Sequence, residues 1–205
     1  MSLLYSIRSR HVKNILSGLK KGELRKRIPP DLRRAFDHYE EEEKTITLPE
    51  GMSLIKPKYS AYIYCTKDDP KYENGGKVVC EVTIIDYEEV TKNTPQKDLQ
   101  RLSKVLCISV EEILEYVGEG KGYVTLFNNE LTVFEKPKEL SEFTHCTGDK
   151  YGYCPACNLG GETIASWVET HEDLAEPGST SWYCNNYIKR PPQSYYNYVR
   201  LGGDV

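Results

Sequence analysis

The hydrophobic pattern at the start of the chain predicts a strand followed by a helix. Residues 3–5 form a short apolar run of the kind found in buried strands. Val12, Ile15 and Leu16 then recur at helical spacing. Ser9 is suited to cap that helix, because its hydroxyl can accept a free backbone N–H. We therefore expect a short amphipathic helix directly after the first strand.

The stretch that follows is predicted to leave the helix and enter a second strand. Gly18 can end the helix with a positive φ angle, which glycine adopts without strain. Alternate side chains of a strand point to opposite faces, so Glu23, Arg25 and Arg27 share one face. Two lysines at residues 20–21 lie at the preceding turn. The result is a charged face in which a carboxylate is flanked by guanidinium groups.

Further along the chain, the pattern alternates between helices and strands. Residues 29–59 indicate an insertion with an amphipathic helix, which lies either over the mouth of a site or on the surface as an ornament. Residues 60–66 and 77–86 alternate as two strands around a turn that contains glycine. Periodic leucines predict two helices within residues 94–118, the second opened by a Ser-Val-Glu-Glu capping box. Residues 123–134 indicate a strand with a bend, or a hairpin.

Composition allows one core, and charge is distributed unevenly along the chain. With 205 residues, 39% of them apolar, the chain suits one domain with decorations or one domain with a small second module. Residues 1–34 contain ten Lys or Arg and two acidic residues, a net charge of +8, so the remainder of this −4 chain carries −12. A basic patch on an acidic body fits a local polyanion site. The alternative is a solvated basic face compensated by nearby carboxylates.

The charged strand has two interpretations when its spacing is considered alone. In the first, Glu23 and Arg25 form weak surface ion pairs on an exposed strand. In the second, the arginines bind phosphate and the fixed carboxylate reads a base amine. Spacing by itself favours the surface interpretation.

Several segments resemble one family in the order in which that family has them. The opening resembles activating-signal-cointegrator homology (ASCH) domains through Ser6-Ile7, the helix and the pattern Gly-x-Lys-x-x-Glu-x-Arg. Further similar segments are residues 61–66, 76–84, 123–137 and 191–195. ASCH domains are compact β-barrels of the PUA-like superfold, related to RNA-binding PUA domains and to readers of modified bases. The resemblance is more specific for the fold than for a function.

The resemblance implies an α+β fold, a PUA-like (ASCH) β-barrel with flanking helices and a small cysteine-rich insertion. The barrel is expected to comprise residues 1–141 and 189–205, with residues 142–188 as the insertion. A nearly closed barrel of about five or six strands is expected.

A nucleic-acid-binding module that prefers RNA is the first functional hypothesis. The barrel cleft would hold one unstacked nucleotide, with basic side chains on phosphate, Glu23 accepting from a base amine and a tyrosine stacking on the base. DNA or a free nucleotide is an alternative ligand. The candidate binding residues are Arg8, Lys20, Lys21, Glu23, Arg25, Arg27 and Tyr64.

An enzyme acting on RNA or on a nucleoside is the second hypothesis. Some small ASCH proteins remove the acetyl group of N4-acetylcytidine with a Lys, a Thr and a later Glu, and others have been described as ribonucleases. Lys20 matches that Lys and Glu81 is the nearest match for the later Glu, but Glu23 stands where the Thr nucleophile would be. Without that hydroxyl the acyl-transfer route loses its nucleophile, although a carboxylate could still activate water. Apart from His11, no histidine near the motif supports acid–base chemistry, so we rank binding above catalysis.

The cysteines of the insertion suggest a structural zinc site. The Cys-Pro-Ala-Cys turn resembles a zinc knuckle, in which a tight loop presents two thiolates at tetrahedral spacing. Reduced thiols or a redox-active pair are alternatives, and His145 or His171 could replace one ligand. The odd total of seven cysteines argues against a disulfide framework. The candidate zinc ligands are Cys146, Cys154, Cys157 and Cys184.

The sequence shows neither a secretory signal nor a membrane-spanning segment. Arg8, Arg10 and Lys13 interrupt the early apolar run. The uncharged run between Lys104 and Glu111 is far too short to cross a bilayer. We therefore expect a cytoplasmic protein with no membrane partner.

If the cysteines bind metal, purified protein should carry about one zinc per chain, measurable by mass spectrometry. Cys154→Ser or Cys157→Ser should then unfold mainly residues 142–188, because metal binding would supply the folding free energy of that segment. Metal-free protein in which hydrogen exchange finds this segment ordered would contradict the prediction.

Overall fold

The structure is a computed structural model that describes residues 2–46, 53–145, 188–193, 195–197 and 199–201. Its helices are α1 Ser9–Leu16, α2 Pro30–Thr45, α3 Gln96–Leu106 and α4 Val110–Val117. Its strands are β1 Ser2–Ile7, β2 Gly22–Arg25, β3 Tyr59–Cys65, β4 Lys77–Thr91, β5 Lys121–Glu139, β6 Phe143–His145, β7 Tyr195–Asn197 and β8 Val199–Leu201.

Six strands form one curled sheet in the order β2-β5-β4-β3-β1-β7, and β6 pairs with β8 in a second sheet. Strand β1 runs parallel to β3, whereas the other neighbouring pairs are antiparallel. The curl brings Tyr5 on β1 to Thr125 on β5 across two intervening strands, with their hydroxyl oxygens 3.4 Å apart. The predicted α+β fold with flanking helices is confirmed, and its six-stranded sheet is a curled half-barrel.

Apolar side chains gather in three clusters around this sheet. The largest joins β1, β3, β4 and β5 to α1 and α2. The second lies between α3, α4 and the strands β2, β4 and β5. The third joins β1, β3 and β4 to the small second sheet. Because burial of each large apolar side chain contributes about 1.5–3 kcal/mol, these clusters fix where the helices lie on the sheet.

Several local signals in the sequence produce the expected structure. Gly18 follows α1 with φ +73°. The periodic leucines of α3, which are Leu99, Leu102 and Leu106, are buried. Ser109 and Glu112 form the reciprocal hydrogen bonds of a capping box at α4. The hairpin considered for residues 123–134 is wrong, because β5 continues without interruption from Lys121 to Glu139 and pairs with β4.

Asp68, and not Ser9, caps the N-terminus of α1, so the expectation for Ser9 was wrong. The backbone N–H and the hydroxyl of Ser9 donate to the two carboxylate oxygens of Asp68, at 2.9 and 3.3 Å. Burial acts to raise the pKa of Asp68, but hydrogen bonds from Ser9 and Thr66 outweigh it and hold this pKa below its ordinary value. A carboxylate therefore already occupies the positive end of α1.

Helix α2, in the predicted insertion, is part of the main core. Leu32 and Phe36 are buried in the largest cluster, and the Phe36 ring lies 5.7 Å from that of Tyr59. No residue of α2 lines the cleft described below. Of the two alternatives for α2, a position over the mouth of the cleft is therefore excluded. The helix packs on the sheet and is more than a surface addition.

The four candidate zinc ligands, Cys146, Cys154, Cys157 and Cys184, lie outside the described residues. Among the residues that the structure does describe, no group of three or more His, Cys, Asp or Glu is placed to hold a metal ion. Within the same residues, no helix is long and apolar enough to cross a membrane.

Candidate functional site

A cleft of about 740 Å³ opens where the end of β1, the start of α1, strand β2 and helix α4 meet. Residues 191–193 line it from the C-terminal part of the chain. Its volume lies in the range of pockets that hold a nucleotide-sized molecule. The lining residues used below are Ser6, Arg8, Arg10, His11, Lys20, Glu23, Arg25, Glu112, Glu115 and Tyr116.

Three charged side chains are buried together at the bottom of the cleft. The Glu23 carboxylate lies 2.9 Å from the Arg25 guanidinium and 3.3 Å from the Lys20 ammonium. The side chains of Glu23, Arg25 and Lys20 are only 10%, 12% and 3% exposed. Charges so far from water are tolerated only when each is paired, so these three residues form one electrostatic unit.

The backbone around β2 holds this unit in place. Gly22 allows the strand to approach its neighbours closely, since a Cβ there would lie 2.9 Å from a Val105 methyl and 3.0 Å from the Thr125 carbonyl oxygen. The Lys20 ammonium donates to the carbonyl oxygen of Leu106, the last residue of α3, at 3.0 Å. A cation at a helix C-terminus compensates the negative end of the helix dipole. Lys20 therefore connects the charged unit to α3.

Arg25 connects the same unit to β1, which is not a hydrogen-bonded neighbour of β2 in the sheet. Its Nη2 donates to the Ser6 carbonyl oxygen at 2.5 Å, and its guanidinium lies 5.4 Å from the centre of the Tyr5 ring. This side chain spans the gap between β2 and β1 that the backbone leaves open.

Three buried polar atoms lack a hydrogen-bond partner among the described residues, and all three belong to residues that line the cleft. They are Ser6 Oγ, His11 Nδ1 and Arg25 Nε. A buried polar group without a partner costs about 1–3 kcal/mol. Their occurrence on residues of one cleft indicates a site whose hydrogen bonds are completed by a ligand or by water.

His11 has a defined neutral form in this environment. Arg10 Nε donates to His11 Nε2 at 3.2 Å, so the neutral ring carries its proton on Nδ1 and presents an N–H donor there. Burial, followed by the nearby Lys20 ammonium, lowers the pKa of His11 below its ordinary value of 6.5. The ring is therefore neutral at pH 7. Because the unfolded chain binds this proton more readily, His11 reduces stability as the pH falls below about 6.5.

The two walls of the cleft carry opposite charges at the rim. Arg8 and Arg10 lie on the α1 side, and Glu112 and Glu115 lie on the α4 side. Arg10 Nη2 and Glu112 Oε1 are 3.5 Å apart, with side chains 62% and 45% exposed. This ion pair joins α1 to α4 across the rim.

Four residues predicted for the site lie away from the cleft. Lys21 is exposed and donates to Asn129 at 2.7 Å, and Arg27 is exposed beyond the end of β2. Tyr64 is 6% exposed within the third apolar cluster, where burial raises the pKa of its hydroxyl, so it cannot stack on a ligand in the cleft. Glu81 is half-buried in the middle of β4.

Of the site residues predicted from the sequence, Arg8, Lys20, Glu23 and Arg25 all line the cleft. Sequence reasoning treated Lys20 and Arg25 as phosphate contacts, whereas the structure pairs both with Glu23 and with backbone carbonyl groups. It assigned no role to Ser6 or Tyr116. Helical spacing predicts which face of α4 is apolar but not that Tyr116 lines a cleft.

The basic patch expected from residues 1–34 is divided in the structure. Lys13 pairs with Asp69 at 3.4 Å, and Arg33 pairs with Asp37 at 3.5 Å on α2. Neither Lys13 nor Arg33 lines the cleft. The net positive charge of the segment is therefore spread over separate surfaces.

No protein-family model and no curated protein sequence matches the chain. Solved structures of ASCH from Zymomonas mobilis, the protein itself and two of its point mutants, are similar with TM-scores of 0.47 and identities of 14% to 15%. They cover 95% of this chain, and 85% to 87% of each of those chains is matched. The N-terminal domain of McrB from Staphylothermus marinus matches with a TM-score of 0.38 and 9% identity, over 67% of this chain and 76% of that chain. These similarities concern the fold alone. The chemistry of the cleft follows from the residues that line it.

The buried unit predicts strong coupling between Lys20 and Glu23. Lys20→Met or Glu23→Gln alone should each lower the free energy of unfolding by about 3–5 kcal/mol, because each leaves buried charge without its partner. The double variant should cost clearly less than the sum of the two. Urea unfolding of all four proteins measures this coupling free energy.

The exposed pair Lys121 and Glu89 provides the control for that cycle. Its coupling should not exceed about 1 kcal/mol, since water screens both charges. Additive costs for Lys20 and Glu23 would show that the two residues do not act as one unit.

Proposed function

We propose that the cleft binds one unstacked nucleotide of an RNA strand, with the edge of its base against the buried unit. The observation that carries this proposal is that three buried polar atoms without a partner belong to residues that line the same cleft as a carboxylate fixed by two cations. Single-stranded RNA is commonly recognised through bases that are turned out and read along their hydrogen-bonding edges.

The polar atoms offer both donors and acceptors to such an edge. An ionised carboxylate has about four lone-pair positions, and Lys20 and Arg25 use two of those on Glu23. The remaining positions accept from a base amine. His11 Nδ1–H and Arg25 Nε–H donate to ring nitrogens or carbonyl oxygens of the base. Nucleobases are small planar groups that carry donors and acceptors side by side, which matches this arrangement.

The charges at the rim favour a particular course for the phosphate backbone. Arg8 is exposed and makes no ion pair within the described part of the chain, and Arg10 lies beside it on the same wall. Glu112 and Glu115 repel phosphate from the opposite wall. The flanking phosphates therefore lie along α1, with the base directed inward. DNA would offer the same phosphates and remains an outcome of the test.

Hydrolysis of RNA or of a modified cytidine is the alternative function. Ser6 Oγ and the neutral His11 ring line the same cleft as Glu23, so a hydroxyl, an imidazole and a carboxylate are available there. Against it, Lys20 is held by Glu23 and the Leu106 carbonyl, and Glu81 lies on β4 outside the cleft. Binding therefore ranks above catalysis. Structural zinc on the four cysteines of residues 142–188 remains a separate proposal.

RNA binding should depend on the groups at the bottom of the cleft. Glu23→Gln, assayed at a temperature at which circular dichroism shows it folded, replaces an acceptor by a donor and should weaken binding of short single-stranded RNA by about 1–3 kcal/mol. Ser6→Ala removes an unpartnered hydroxyl, leaves the fold intact and should weaken binding by about 0.5–1.5 kcal/mol. Fluorescence anisotropy with labelled RNA measures both, and the same oligonucleotide as DNA tests the choice of sugar.

Glu81→Gln is the matched control for that experiment, because it makes the same change on β4 outside the cleft. It should leave affinity unchanged. Mass spectrometry of RNA and of N4-acetylcytidine after incubation with the wild type should show no product. Turnover that disappears in Glu23→Gln would establish the alternative function instead, and equal affinities of all four proteins would contradict the proposed site.

The ion pair at the rim should oppose binding, since Arg10 must leave Glu112 before it can contact phosphate. Glu112→Gln keeps the capping-box acceptor for the Ser109 N–H and removes this ion pair. Glu115→Gln removes the same charge from the same wall without an ion pair to Arg10. Glu112→Gln should tighten RNA binding by about 0.2–1 kcal/mol more than Glu115→Gln. Equal effects would mean that only the net charge of the wall matters.

A further inference from the structure

Tyr116 on α4 is an aromatic side chain at the rim whose exposure the fold does not explain. It is 41% exposed and lines the cleft. Within the described part of the chain, its hydroxyl makes no hydrogen bond and its ring meets no other aromatic ring. Tyrosines of this kind supply contact area to ligands at little cost in conformational entropy.

Lys26 fixes the surroundings of this ring. Its ammonium lies 5.1 Å from the centre of the Tyr116 ring and donates to the Val117 carbonyl oxygen at 2.8 Å. Val117 is the last residue of α4, so the ammonium also compensates the negative end of that helix. The cation is therefore anchored by two interactions, and it covers one side of the ring while the ring itself lines the cleft.

We infer that Tyr116, backed by Lys26, is the platform on which the base bound in the cleft stacks. This inference rests on the proposed function and names the residue that covers the face of the base. The unpartnered atoms of Ser6, His11 and Arg25 can engage only an edge of the base, and a base that leaves its stack also loses contacts on its faces. Base stacking on an aromatic side chain restores those contacts for any base, because every base has a π-face.

The other aromatic groups considered for stacking do not fill this role. Tyr64 is buried in the third cluster, and the face of Tyr5 is occupied by the Arg25 guanidinium. His11 lines the cleft but is half-buried and holds Arg10 through Nε2. Tyr116 combines exposure, a position on the wall opposite the arginines and a fixed cation behind it.

The test is anisotropy titration of the full-length protein with short fluorescein-labelled single-stranded RNA of mixed sequence, at several salt concentrations. Tyr116→Ala should weaken binding about tenfold or more, and Tyr116→Phe should bind nearly as tightly as the wild type, because stacking needs the ring and not the hydroxyl. The salt dependence should be the same in the wild type and Tyr116→Ala, since a stacking residue releases no counterions.

Tyr39→Ala is a matched control, because Tyr39 also lies on a helix with a lysine over its ring, Lys56 at 5.9 Å, but outside the cleft. It should leave affinity unchanged. If the wild type binds RNA and Tyr116→Ala binds equally well, the stacking role is overturned while the proposed function stands. A loss of affinity in Tyr116→Phe as large as in Tyr116→Ala would also overturn it. If the wild type binds no RNA, the proposed function itself fails.

Discussion

The pairing of Glu23 with two cations is the interaction on which the arrangement of the cleft depends. The free-energy cost of taking these charges out of water is offset only when every partner is in place. Loss of one of the three side chains therefore destabilises the other two. Because Arg25 also binds the Ser6 carbonyl and Lys20 binds the Leu106 carbonyl, the unit holds β2 against β1 and against the end of α3 at once. The half barrel is joined at this point by side chains, where its backbone makes no ladder between β1 and β2.

The same constraint explains why the cleft is preorganised and incompletely satisfied. The Arg25 guanidinium contacts both Glu23 and the Ser6 carbonyl through Nη2, and its buried Nε–H has no partner among the described residues. Arg10 fixes the tautomer of His11 and thereby leaves Nδ1–H as a donor. These atoms therefore lack partners as a consequence of the contacts that stabilise the fold. A ligand that supplies the missing hydrogen bonds is recognised by groups already held in position.

Much of the fold follows from local sequence, whereas half of the site does not. Gly18, the leucines of α3 and the capping box at Ser109 act within a few residues of themselves, so their patterns were sufficient. Asp68 caps α1 from 59 residues away, and no local pattern signals such a contact. Tyr64 and Tyr116 have the same side chain, and only tertiary packing decides which of them meets the cleft. Residues 20–25 were recognised because one turn and one strand hold all the charges of the buried unit.

The distribution of charge decides what kind of binding this cleft can support. Of the ten cations in residues 1–34, Lys20 and Arg25 are buried with Glu23, and Lys13 and Arg33 pair with carboxylates on other surfaces. Arg8 and Arg10 are the rim cations of the cleft, and Arg10 is shared with Glu112. Release of counterions from about two phosphates gives only a modest, salt-dependent contribution to affinity. Under the proposed function, most of the binding free energy comes from stacking on the base face, which suits any base, and from the interior hydrogen bonds, which require a particular base in a particular pose. Under the same proposal, the cleft discriminates one nucleotide rather than holding a long strand.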